Sequence, residues 1–294
     1  MREARATEWD VRPMRMEDAE AVIAVVEAAN AEARRQAGRP PAPERPPEER
    51  AATVRAMHRF VELDPDGAWV AVAGDDVVGM TESIRRGGFW GLSMLFVDPA
   101  YQSRGVGRAL ITKALATAEG ASVRMIQASS DPRALRRYSG AGLRLHPNVA
   151  AEGTVERSAI PRELPGRPGT ADDLELVTEV DAGLGRARTA DVAFGLEQGL
   201  RFEVVDGPRG RGFALCRDTQ LVMLGATDED TAAVLMWRWL AETTGDTEVH
   251  GLSAEQDWAV RVAHAARLTV RPQGALFVDG MAVPGPWVPS GWYF

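Results

Sequence analysis

The segment LSMLFVDPAYQSRGVGRALITKAL, residues 92–115, decides the fold of this protein. Its apolar first part has the character of a strand and is stopped by Pro99, and its last part has the apolar spacing of a helix. Between them, Gly105 and Gly107 stand two apart behind Gln102. A strand that turns directly into a helix predicts an α/β unit whose turn carries unpaired backbone N–H groups.

This turn has the chemistry of a phosphate site. The first N–H groups of a helix carry roughly half a positive charge, and glycines let an anion approach the backbone closely. The side chains of Gln102, Ser103, Arg104 and Arg108 can reach its outer oxygens. A dinucleotide-binding turn would need a third glycine where Leu110 stands, and no P-loop sequence is present. On the residues alone, a tight turn whose glycines serve only packing is an equal alternative.

The chain also contains an internal repeat. Arg12, Pro13 and Asp18 fall on Arg167, Pro168 and Asp173 at a constant offset of 155, and later segments match at an offset of 125. The difference falls at the Pro-rich stretch 38–50, which predicts a loop. We therefore expect two tandem α/β (α+β) folds, each a mixed, mostly antiparallel sheet flanked by helices. The predicted domains are 1–160 and 161–294, joined at the Pro/Gly-rich residues 161–169.

Periodicity gives the order of elements in the first half. It predicts strands over 11–15, 68–73, 77–84, 89–99, 123–128 and 153–160, and helices over 16–35, 47–63, 104–119 and 132–141.

The segment 92–115 resembles motif A of the GNAT acetyltransferase superfamily, in which QxxGxG follows a bulged strand and opens a long helix. A second signature of that family places Asn, Ala and Tyr at i, i+3 and i+7 on a later helix, ahead of a Gly-aromatic pair. The corresponding residues here are Asp131, Ala134 and Tyr138, followed by Gly142 and Leu143. Asp131 and Leu143 depart from the pattern. The resemblance covers residues 11–160 and reaches the second half only through the repeat.

The resemblance implies an N-acetyltransferase that moves an acetyl group from acetyl-CoA directly to a primary amine of a small molecule or peptide. It implies Tyr138 as the acid for the departing thiol, with Glu82 or Ser93 as candidates for the base. The implied cofactor-binding residues are Leu95, Phe96, Val97, Gln102, Ser103, Arg104, Gly105, Val106, Gly107, Arg108 and Asp131. The rival interpretation is a non-catalytic acyl-CoA-binding sensor or partner protein.

The second half lacks these residues. The offset of 125 places Glu229, Asp230 and Ala232 at the positions of Arg104, Gly105 and Gly107, and it places Ala263 at that of Tyr138. Carboxylates at a helix start repel phosphate. We expect a degenerate second domain that keeps the fold and binds no CoA.

Composition narrows the partners further. A net charge of -8 opposes a nucleic-acid partner, and no apolar run reaches about 18 residues, so neither nucleic acid nor membrane is expected. With a single cysteine, Cys216, and four scattered histidines, no metal site is expected. A cytoplasmic monomer or homodimer is predicted.

Overall fold

The computed structural model describes residues 8–43, 45–280 and 286–288. The chain packs as two compact units, one of residues 1–85 and 92–120 and the other of residues 86–91 and 121–294. They are called unit 1 and unit 2.

Unit 1 contains the segment that decides the fold. Its strands lie in the order β1-β2-β3-β4, and β1–β2 and β2–β3 pair antiparallel. The strands are β1 (Asp10–Pro13), β2 (Ala68–Ala73), β3 (Asp76–Arg86) and β4 (Phe89–Val97). The last residue of β3 and the first three residues of β4 belong to unit 2. The helices are α1 (Ala19–Gln36), α2 (Pro47–Leu63) and α3 (Val106–Ala116).

Unit 2 contains two groups of strands, in the orders β5-β12-β6-β11 and β13-β10-β9-β8-β7, and the pairings within both are antiparallel. The strands are β5 (Val123–Ala128), β6 (Arg144–Gly153), β7 (Arg167–Pro168), β8 (Arg201–Gly207), β9 (Gly210–Cys216), β10 (Leu221–Ala226), β11 (Thr247–Leu252), β12 (Thr269–Gly280) and β13 (Trp287–Val288). The helices are α4 (Pro132–Gly140), α5 (Leu174–Gly183), α6 (Thr189–Glu197), α7 (Glu229–Glu242) and α8 (Asp257–Ala265).

The internal repeat is present in the structure down to single hydrogen bonds. The Arg12 guanidinium donates to Asp18 at 2.6 Å, and Arg167, its counterpart in the second copy, donates to Asp173 at 2.6 Å. Each of these carboxylates also accepts a backbone N–H three residues earlier, at 2.8 Å and 2.9 Å. The two halves therefore begin with the same strand, capped turn and helix.

A strand of the second copy, β12, is inserted among strands of the first. β12 pairs with β5 on one side, with Ala275 opposite Ala128, and with β6 on the other, with Ala275 opposite Pro147. β6 in turn pairs with β11 of the second copy. The compact units follow this packing and not the repeat, and the domains 1–160 and 161–294 stay a prediction.

The predicted last strand of the first half, 153–160, is wrong. The strand is β6 (Arg144–Gly153), and Arg157–Ala159 form a single turn of 3₁₀ helix. Proline cannot donate to a neighbouring strand. Pro147 stands opposite Ala275 of β12, and on the other side of β6 the pairing with β11 reaches only as far as Val149, so that β11 needs no donor from Pro147.

Candidate functional site

The segment between β4 and α3 is held by local hydrogen bonds. Asp98 accepts the Ala100 N–H at 2.8 Å and caps the short turn Pro99–Tyr101. The side-chain amide of Gln102 donates to the Val97 carbonyl at 3.1 Å, so it ties the turn back to the end of β4. Gln102 is thus placed at the base of the turn.

The backbone of the turn leaves its N–H groups open. Ser103 and Gly105 adopt positive φ angles of 62° and 92°, and Gly105 precedes α3 without a side-chain cap. Helical bonding starts where the N–H groups of Arg108 and Ala109 donate to the Gly105 carbonyl at 2.9 Å and 3.1 Å. Among the described residues, the N–H groups of 103–107 donate to no backbone carbonyl. The Arg108 N–H, which the resemblance placed on the phosphate, is already used within the helix.

The turn is positively charged and exposed. Ser103, Arg104, Gly105 and Arg108 are exposed. In the part of the chain that the structure describes, neither arginine forms an ion pair, although Arg104 lies 5.4 Å from the ring centre of Tyr101. A Cβ on Gly107 would lie 3.5 Å from a methyl carbon of Val97, which is an ordinary van der Waals contact. Open N–H groups, two free cations and a helix start together can hold an anion.

Hydrophobic packing fixes this turn between strand and helix. Leu95 and Val97, near the end of β4, pack against a buried cluster that includes Val106 and Leu110 of α3. Phe96 lies between them on the strand and is half-buried. The predicted residues of the strand end and of the turn are therefore parts of one rigid local structure.

Glu82 is a buried carboxyl. It is 1% exposed, and neither of its oxygens has a hydrogen-bond partner among the residues that the structure describes. Ser83, its neighbour on β3, lies 3.0 Å from Thr117 at the end of α3, so strand alternation places Glu82 on the opposite face from that helix. Burial, reinforced by the negative charge of Asp64, raises the pKa of Glu82 well above its usual value. Such a carboxyl has no structural partner and is a functional candidate.

The other candidate base, Ser93, lies on the neighbouring strand β4 and is half-buried.

Asp131 and Tyr138 lie in unit 2 on the same helix. Asp131 caps α4 by accepting the Arg133 N–H at 2.8 Å, and it also pairs with the Arg133 guanidinium at 2.8 Å. This pairing lowers the pKa of Asp131. Tyr138 is 5% exposed, and its ring meets Phe277 edge to face at 5.4 Å between centres. Burial raises the pKa of Tyr138 to about 12, so the phenol keeps its proton at neutral pH.

Residues 23–143, which include the turn and α4, match the family model described as "Acetyltransferase (GNAT) family". This segment is a GNAT acetyltransferase domain. A comparison with curated proteins finds no match.

Solved structures extend the likeness of fold beyond the GNAT domain. A putative acetyltransferase from Pyrococcus horikoshii superposes with a TM-score of 0.75 at 16% identity, covering 97% of this chain and 94% of its own. A GCN5-related N-acetyltransferase from Sphaerobacter thermophilus gives 0.59 at 15% identity, covering 95% and 97%. A tandem GNAT protein from the clavulanic acid biosynthesis pathway gives 0.58 at 15% identity, covering 94% and 100%. At these identities the likeness concerns the fold, and it confirms the predicted fold class.

The second copy of the turn has a different chemistry from that in the GNAT domain. Its helix α7 is capped by Asp228, whose carboxylate accepts the Thr231 N–H at 2.8 Å. Glu229 and Asp230 follow in the first turn, and the residue at the position of Tyr138 is the fully buried Ala263. The helix start is therefore supplied with its own carboxylate. That this copy binds no CoA stays a prediction.

Two further findings concern membrane spans and metal sites. In the described part of the chain, none of the helices is both long enough and apolar enough to cross a membrane. The same residues bring no three His, Cys, Asp or Glu side chains together as a metal site would require.

Asp64, whose negative charge acts on Glu82, is not marked by any signal in the sequence. It follows α2, accepts the Arg85 N–H at 3.0 Å and looks in the sequence like an ordinary residue at a helix end.

Proposed function

We propose that this protein is an N-acetyltransferase that moves an acetyl group from acetyl-CoA to a primary amine of a small molecule or peptide. The observation that carries the proposal is the segment 102–108, whose open N–H groups and two arginines lie at the start of an 11-residue helix. The GNAT family that residues 23–143 match consists of acetyltransferases, which supports acyl transfer from an acyl-CoA.

In this proposal the turn holds the diphosphate of the cosubstrate. The N–H groups of 103–107 donate to its oxygens, Arg104 and Arg108 neutralise its charge, and Gln102 keeps the turn against β4. Leu95, Phe96 and Val97 carry the pantetheine arm. The Asp131 carboxylate already accepts hydrogen bonds from Arg133. Its contribution to cofactor binding is therefore to hold the start of α4 in place. When bound, acetyl-CoA supplies a thioester carbonyl as electrophile and a thiolate as leaving group.

Two proton movements complete the transfer. The amine nitrogen attacks the thioester carbon, and Glu82 accepts the proton that the nitrogen must lose, directly or through Ser93 and a water. The C–S bond then breaks, and the sulfur takes the electron pair. The Tyr138 hydroxyl donates a hydrogen bond to that sulfur and supplies its proton. Because a thiol has a pKa near 8.5, the raised pKa of Tyr138 makes the hydrogen bond the larger part of its contribution.

The alternative, a non-catalytic acyl-CoA-binding protein, is not favoured by the family match. We further expect the enzyme to be a cytoplasmic monomer or homodimer that uses no metal.

The test is release of free CoA thiol from acetyl-CoA in the presence of a panel of primary amines and N-terminal peptides. Tyr138→Phe is expected to lower kcat by about 10²-fold or more while the Kd for acetyl-CoA stays within about twofold. If calorimetry shows that acetyl-CoA binds but no amine of the panel causes release of the CoA thiol, the non-catalytic alternative is favoured. Unchanged turnover in Tyr138→Phe would remove the role of that residue.

A further inference from the structure

A cluster of buried charges in unit 2 contains more arginines than acids. Its members are Arg86, Arg186 and Arg188 with Asp181 and Asp191, all of them buried. Arg86 pairs with Asp191 at 2.6 Å, and Arg188 pairs with Asp181 at 2.7 Å. Both carboxylates are thus engaged, and Arg186 is the third cation.

Arg186 leaves two of its guanidinium nitrogens without an acceptor. It is 5% exposed, and within the described part of the chain its buried Nε and Nη2 atoms have no hydrogen-bond partner. An arginine stays protonated in proteins, and an uncompensated buried charge is costly. Burial, together with the charge of Arg188, lowers the pKa of Arg186 well below its usual value, and the negative charge of Asp181 offsets only part of this effect.

Two aromatic rings lie against this guanidinium. Its central carbon is 3.6 Å from the ring centre of Phe89 and 4.7 Å from that of Trp287. Aromatic faces attract a cation, but they accept no hydrogen bonds from N–H groups in the guanidinium plane. The edge of the guanidinium is therefore the part that still needs a partner.

The unpaired atoms are those that bind carboxylates elsewhere in this chain. Arg86 uses Nε and Nη2 as a fork on the two oxygens of Asp191, at 2.6 Å and 2.8 Å. Arg35 binds Glu32 with the same two atoms at 2.7 Å and 2.6 Å. The Nε and Nη2 fork matches the geometry of a planar carboxylate. In Arg186 this fork is present, and no carboxylate of the described residues 8–43, 45–280 and 286–288 meets it.

We propose that Arg186 binds the carboxylate of a small-molecule ligand, in an aromatic-walled site formed with Phe89 and Trp287. The ligand is bound without any chemical reaction. Its carboxylate is the counter-ion of the guanidinium and accepts hydrogen bonds from Nε and Nη2. The site does not depend on the proposed acyl transfer, and the test below reads binding only.

The test is thermal unfolding of the full chain in acetate, propionate or benzoate, compared with chloride at the same ionic strength. A carboxylate at a hundredfold excess over its Kd should raise the Tm of the wild type by about 4 °C, saturably. Arg186→Met should abolish the rise, and Arg186→Lys, which keeps the charge without the fork, should abolish most of it. The control Arg209→Met removes an exposed arginine and should keep the full rise.

Several results would overturn the proposal. One is that no carboxylate raises the Tm beyond chloride. Another is that the rise persists in Arg186→Met, which would place the site elsewhere. A third is that sulfate or phosphate raises the Tm as much as carboxylates do, because the fork should prefer a planar anion. If Arg186→Met does not fold, Arg186→Lys takes its place: a carboxylate-dependent rise in Tm that is as large in Arg186→Lys as in the wild type would also overturn the proposal.

Discussion

The glycine turn can be tested with two substitutions that have opposite effects on folding. Gly105 has a φ of 92°, and an L-residue in left-handed backbone costs about 1–2 kcal/mol. Gly107 lies within α3 at an ordinary φ, and alanine there gains up to about 1 kcal/mol because glycine is a poor helix former. Its new Cβ would make an ordinary contact of 3.5 Å with Val97.

These energies translate into small changes of melting temperature. A chain of 294 residues has an unfolding entropy of about 0.6 kcal/mol/K. Gly105→Ala should therefore lower Tm by about 2–3 °C, and Gly107→Ala should leave it unchanged or raise it by up to about 2 °C.

Both substitutions should weaken acetyl-CoA binding. A hydrogen bond to a charged group contributes about 1.5–3 kcal/mol, so the loss of one backbone contact to phosphate raises Kd by about 10- to 150-fold. Calorimetric titration measures Kd, and thermal unfolding measures stability on the same samples. In Gly107→Ala, affinity should fall although the fold is intact.

Two other glycines serve as matched controls. Gly74 has a φ of 65° in the turn between β2 and β3, so Gly74→Ala should cost the same stability as Gly105→Ala without changing Kd. Gly183 ends α5 with open space around it, so Gly183→Ala should leave both Kd and Tm nearly unchanged. A Kd for Gly107→Ala within twofold of the wild type would refute the phosphate site and leave the turn as a packing corner.

Further predictions concern buried charges. The folded-state pKa of Glu82 lies above the usual 4.5, so the protonated carboxyl stabilises the fold in full below about pH 4.5, and this contribution is lost as pH rises through the folded-state value. Glu82→Gln should therefore gain in Tm over the wild type increasingly as pH rises, while acyl transfer falls by about 10²-fold or more. A Tm difference between Glu82→Gln and the wild type that does not change with pH would contradict this. Asp191→Asn leaves Arg86 buried without its bidentate partner and should cost about 3–5 kcal/mol in urea unfolding, whereas the double variant Arg86→Met, Asp191→Leu should recover most of that loss. A loss below about 1 kcal/mol in the single variant would show that the pair contributes little.

Local signals in the sequence were sufficient for most elements of the first half. The predicted bounds of α2, β2 and β5 agree with the structure to the residue, because periodicity and flanking prolines or polar residues mark their ends. The glycine turn was predictable for the same reason, since a left-handed φ and an uncapped helix start are properties of a few consecutive residues.

Other features depend on partners far away in the sequence. The bounds of β6 depend on its pairing with β11 and β12, which come from more than 90 residues further along the chain. Glu82 was a candidate from its place on the strand, but its burial and lack of a partner depend on the packing around β3. Arg186 stands in a loop rich in Gly and Arg, where an arginine is normally solvated, and it is buried by contacts with Phe89 and Trp287.

The insertion of β12 between β5 and β6 also sets the order of events during synthesis. A ribosome releases the N-terminal residues first, and pairings between distant segments form slowly because long loops must close. β5 emerges well before 269–280, which supply the strand beside it. Until then its edge presents unpaired N–H and C=O groups, a template for aggregation. The sheet around β5 is therefore completed only after translation has passed residue 280, and a chaperone that shields this edge should raise the yield of folded protein.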